Sequence, residues 1–61
     1  MKYLDKNGNE IKSGQTLYFE QDMMPYRDVK EIDGVLCIGL AKLNQWTALN
    51  DDFGSEYWEI V

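Results

Sequence analysis

Asp33-Gly34, set between two runs rich in β-branched and apolar residues (YRDVKEI before, VLCIGL after), constrains this chain more than any other feature. A two-residue turn of type I′ needs positive φ at both central positions, and Asp-Gly supplies them at little strain, so Tyr26 to Leu40 is predicted to be a β-hairpin with Ile32 opposite Val35. Counting back places Val29 opposite Ile38 and Glu31 opposite Leu36. Val29, Leu36, Ile38 and Leu40 then share one face, and Asp28, Lys30, Ile32, Val35 and Cys37 the other. The first face is the better core. A lone hairpin is marginal in water, so other segments must supply strands that bury it.

At 61 residues the chain is one domain, and folding hides only about 60% of the surface its unfolded form exposes. That leaves little room for both a stable scaffold and a deep pocket, which favours a binding module over an enzyme. Eight aromatics and an apolar fraction of 44% argue for a folded core. One cysteine allows no intrachain disulfide, and a reducing cytoplasm is the natural setting. No apolar run approaches the ~20 residues that span a bilayer, and MKYLDKNGNE has no signal-peptide apolar region, so no membrane association is expected.

Along the chain, Tyr3-Leu4-Asp5 can start a strand and Asn7-Gly8 reads as a tight turn, followed by a second turn at Lys12 to Gln15. Thr16 to Glu20 alternates as a strand, with Leu17 and Phe19 on one face, and Pro25 ends the loop after it. Leu40 to Asn50 reads two ways. Leu40, Leu43 and Trp46 repeat at helical spacing, so one short helix within 40–49 is open; the favoured reading continues the strand to Ala41, turns at Asn44-Gln45 and pairs Trp46 to Leu49 back. Asn50 to Ser55 is a loop, and Tyr57 to Val61 a closing strand with Trp58 and Ile60 on one side. The expected fold is all-β, a small five-stranded SH3-like barrel whose last strand pairs with the first, with Leu17, Phe19, Val29, Leu36, Ile38, Leu40 and Trp58 in its core.

The opening Asp5, Gly8, Ile11, Gly14 and Leu17 and the closing Trp58-Glu59-Ile60 resemble a pattern in small phage and prophage proteins of Gram-positive bacteria, broadly the YopX-like group. The resemblance spans about half the chain, and Gln15 departs from the Asp usual after the second glycine. It implies a β-barrel and a mobile-element setting, and it brings no catalytic residues.

Catalytic chemistry has little to stand on. With no histidine the commonest base and metal ligand is missing, Cys37 reads as a packed mid-strand residue, and Ser13 and Ser55 serve turns. Asp51, Asp52 and Glu56 lack the spacing of a calcium loop. No catalytic residue, metal or cofactor is expected. The informative residues are aromatic, thioether and acidic: Tyr26, Trp46, Tyr57, Met23 and Met24 are expected at the surface as adaptable apolar contacts. Net charge is −5, and from Leu43 to Val61 no basic residue accompanies Asp51, Asp52, Glu56 and Glu59. This disfavours direct nucleic-acid binding, which draws its affinity from Lys and Arg. It points to an accessory protein that binds a partner protein with a basic surface. An alternative is an acidic nucleic-acid mimic, with Glu20 and Asp22 joining those carboxylates to occlude a host DNA- or RNA-binding protein. Pairing of copies through open strand edges is a further expectation.

Overall fold

The computed structural model describes residues 2–61. Asp33 and Gly34 have φ of 51° and 79°, as a type I′ turn requires, and they join β2 (Tyr26–Ile32) to β3 (Val35–Leu40). The expected register is observed: Ile32 faces Val35, Glu31 faces Leu36 and Val29 faces Ile38. Around this hairpin β1 (Thr16–Tyr18), β4 (Gln45–Ala48) and β5 (Glu59–Ile60) complete one antiparallel sheet of order β4-β3-β2-β1-β5. The first four strands form a meander, and the last strand returns beside the first, so the fold is all-β as expected.

The segment after β3 follows the strand reading with shifted limits. β3 ends at Leu40, a single 3-10 turn covers Ala41–Leu43, and Asn44 reverses the chain in the left-handed region at φ 51°. β4 then pairs back with Gly39 opposite Trp46. Gly39 is obligatory here: a Cβ on it would lie 1.8 Å from the Gln45 carbonyl oxygen, because the Gln45–Trp46 backbone passes directly against it. Two further 3-10 turns, Asp51–Phe53 and Ser55–Tyr57, occupy the loop before β5. The predicted strand from Tyr57 is therefore shortened to two residues, Tyr57 being the end of a turn. Asn50 starts the first turn, its side chain accepting from the Phe53 N–H at 3.2 Å.

The core gathers Ile11, Leu17, Val29, Ile38, Leu49 and Trp58, with Tyr3, Phe19, Leu36, Phe53 and Ile60 packed against it. Leu17 is completely buried. Two expectations need correction. Leu40 is only half-buried and does not belong to the central cluster, since the chain turns away there. Ile11 and Leu49, not expected in the core, belong to its central cluster: the Leu49 N–H bonds to the Leu36 carbonyl and so carries the β3–β4 pairing one residue further, and the Ile11 N–H bonds to Tyr3 in the N-terminal hairpin. Cys37 is buried, as expected of a packed cysteine, but on the opposite face of the sheet.

The N-terminal segment is a short hairpin and not a full strand. Leu4 and Glu10 form a single bridge, the Ile11 N–H donates to the Tyr3 carbonyl at 2.8 Å, and Gly8 turns the chain at φ 81°. Asp5, 4% exposed, holds this hairpin to the rest of the molecule. Its Oδ1 accepts from the Asn7 and Asn9 N–H groups at 2.9 and 2.8 Å, and its Oδ2 from the Ile60 N–H at 3.1 Å. The Lys6 N–H adds a bond to the Trp58 carbonyl at 2.8 Å. Ser13 also acts over a distance, its hydroxyl accepting from the Glu31 N–H at 3.1 Å, where a local turn bond was expected.

Candidate functional site

Side chains alternate across a strand, so the register fixes which residues reach the outer face of the sheet. Tyr18 lies opposite Tyr26 on one side and opposite Glu59 on the other. Three strands thus present Tyr26, Tyr18 and Glu59 as one row. The two tyrosine rings sit 4.9 Å apart at 47°, within the range of favourable aromatic pairs, and Tyr26 is 57% exposed. Glu59 is paired with Lys6 at 3.5 Å, both side chains being well exposed.

Tyr57, 63% exposed, extends this surface. Its ring stacks over Phe19 with centroids 6.1 Å apart. Lys6, Tyr18, Phe19, Glu20, Gln21 and Tyr57 enclose a shallow hollow of about 180 Å³. Tyr18 therefore belongs both to the row and to the hollow, joining Tyr26 to Tyr57. Glu20 and Glu56 are exposed beside it in the chain. Sequence reasoning named Tyr26, Tyr57, Glu56 and Glu59 but missed the linking positions of Tyr18 and Phe19, which only the β1–β5 pairing reveals.

The other expected residues lie elsewhere. Met24, 43% exposed, and Asp52 meet at an open hollow of about 390 Å³ whose walls include Arg27, Leu40, Thr47 and Phe53. Arg27 is held by Asp22 at 2.7 Å and lies over the Trp58 ring at 5.8 Å. Met23 is almost fully exposed, and Asp51 is exposed next to Asp52. Trp46 is on β4, half-buried, its indole N–H donating to the Asn44 side chain at 3.2 Å and its ring taking the Lys30 ammonium at 5.5 Å. The expected surface residues thus fall in three places: the tyrosine row with Tyr57, the Met24–Asp52 hollow and the Trp46 edge.

Among the described residues one titratable group is clearly shifted. Burial alone pushes the Asp5 carboxyl up, but the N–H groups of Asn9, Ile60 and Asn7 and the charge of Lys6 outweigh it and hold the group below its ordinary value. Both oxygens of this side chain accept from backbone N–H groups, which marks Asp5 as structural. Among the described residues no group of three or more His, Cys, Asp or Glu is placed to hold a metal ion, and no helix is long and apolar enough to cross a membrane. No protein-family model matches the chain, and no curated protein or solved structure matches it.

Proposed function

We propose that this protein is a non-enzymatic binding module of accessory type, of the kind phage and prophage encode, that recognises a protein partner with a basic surface. The observation that supports this reading is the row Tyr26, Tyr18 and Glu59, continued by Tyr57 over Phe19. It joins two tyrosine rings and the Glu59 carboxylate across three paired strands. Tyrosine presents a large amphipathic surface with few rotatable bonds, so ordering it on binding costs little, and it is enriched among the residues that dominate interface energies. The exposed carboxylates of Glu20, which lines the hollow, and Glu56, next to Tyr57 in the chain, favour cationic partners and repel acidic ones, while Glu59 is shared with Lys6.

The test is capture from a host lysate on immobilised protein, comparing the wild type with two double variants, Tyr26→Ala/Tyr57→Ala and Glu20→Lys/Glu59→Lys. The expected result is a basic protein retained by the wild type and lost from both variants, each of which keeps the wild-type circular dichroism spectrum. A captured protein unaffected by both would remove this surface from the function. Release of the captured protein by duplex DNA would instead identify occlusion of a nucleic-acid site.

A further inference from the structure

The chain seats one of its own arginines between a ring and a carboxylate. The Arg27 guanidinium lies over Trp58, 5.8 Å from the ring centroid, and donates to Asp22 at 2.7 Å. A guanidinium is planar and weakly hydrated, so it can stack on a ring and take a carboxylate in its plane at once, which suits it better than a compact, strongly hydrated ammonium. The hollow beside the tyrosine row brings the same ingredients together, since Tyr18, Phe19 and Tyr57 line it with Glu20. At about 180 Å³ it is smaller than the sites that hold free small molecules, roughly 300 Å³ and upward. It suits a single side chain. The Tyr57 ring is held from two sides, stacked on Phe19 with centroids 6.1 Å apart and so near Gly54 that a Cβ there would come within 3.0 Å of it. Ordering that ring therefore costs a partner little.

We infer that this hollow receives an arginine side chain of the basic partner, its guanidinium against the Tyr18 and Tyr57 rings and its N–H fork on the Glu20 carboxylate. The inference rests on the reading of this face as the binding surface and narrows what that surface recognises from a basic protein to one side chain. Charge supports it: Lys6 lines the same hollow, but Glu20 and Glu59 outnumber it, so a cation entering there meets a net negative surround. Lys6 is also easily displaced. Its ammonium is 3.5 Å from Glu59 with the two side chains 51% and 40% exposed, and ion pairs so open to water contribute little. Glu59 can thus exchange Lys6 for the incoming arginine at small cost, as the Lys6 side chain swings away from the hollow.

The test titrates three capped tripeptides, Gly-Arg-Gly, Gly-Lys-Gly and Gly-citrulline-Gly, into the isotope-labelled full chain and follows its amide signals by NMR. One side chain binds weakly, so the arginine peptide is expected at a Kd of about 1 to 10 mM, with the shifts centred on Tyr18, Glu20 and Tyr57. The lysine peptide should bind about threefold more weakly, and citrulline, which keeps the shape and lacks the charge, should not bind measurably. Tyr57→Leu and Glu20→Gln, both at exposed side chains, should each weaken the arginine peptide about threefold, and Lys6→Gln should tighten it about twofold. Lysine bound as well as arginine overturns the proposal, as do shifts centred on other residues or none at about 50 mM peptide. The two readings fail apart. Absence of an arginine preference overturns this one even where a basic protein is captured from lysate; capture indifferent to both double variants, beside a clear arginine preference, removes the partner reading and keeps the hollow as an arginine site.

Discussion

Asp5 accepts three backbone N–H bonds, two within its own turn and one from Ile60 near the other end of the chain. Asp5→Ala leaves those donors short of a partner in a buried place, and the expected outcome is a fall in melting temperature of more than about 5 °C. The same carboxylate sets an acid limit. Its native pKa lies below the ordinary 3.8, so the unfolded chain takes up the proton first and stability rises with pH across that interval. The contribution is complete above that ordinary value and disappears as pH falls through the native one. Denaturant titrations from pH 5 down to pH 2 should show less acid loss in Asp5→Asn than in the wild type; equal slopes would assign the acid sensitivity to other carboxylates. The tight turn at Asn7-Gly8 was legible, but the bond from Ile60 to Asp5 was not, because no local pattern reports a contact between chain ends.

The hairpin was legible to the residue, since a two-residue turn leaves no freedom in register once both φ values are positive. Gly34→Val should cost roughly 1 to 2 kcal/mol through left-handed strain, a large share of the few kcal/mol available to so small a domain. An unchanged midpoint in urea would contradict the turn. Gly39→Ala should cost more, roughly 2 to 3 kcal/mol, since the new methyl meets backbone that cannot step aside; thermal melts of the two variants rank the effects. Other elements were less legible. Leu40, Leu43 and Trp46 share helical spacing, yet Asn44 tolerates the left-handed conformation that ends the 3-10 turn and starts β4, so pairing with β3 decides the outcome. Tyr57 alternates with Trp58 as a strand residue would, but Gly54 at φ 73° starts a turn that takes it out of the ladder. Ile11 stands in a segment without periodicity, and Leu49, read as a strand residue, reaches the core because its pairing with Leu36 places it on the face that the hairpin buries.

Charge acts at the scale of the molecule. With a net charge of −5 and no basic residue after Lys42, the chain carries a field that reaches a partner before any contact forms. Aromatic contacts act only once the surfaces meet. Sequence reasoning found both ingredients and the pairing of the last strand with the first, and grouped Trp46 with Tyr57 as aromatic contacts; the strand order separates them, with β5 beside β1 and β4 at the far edge. This arrangement makes the two roles separable. Charge reversal at Asp51, Asp52 and Glu56, all exposed loop or turn residues, should slow association with a basic partner and leave stability nearly unchanged, since such carboxylates contribute little to folding. Tyr26→Ala or Tyr57→Ala should instead speed dissociation, because the stacked and paired rings hold the complex after encounter. Raising salt until the Debye length falls from about 10 Å at 0.1 M toward about 3 Å at 1 M should lower the wild-type association rate steeply and bring it down to that of the charge-reversed chain. Both rates, measured by surface plasmon resonance at two salt concentrations once a partner is in hand, decide the matter. An association rate indifferent to salt and to the three carboxylates would leave the acidic third as a solubilising surface and assign recognition to the tyrosine row alone.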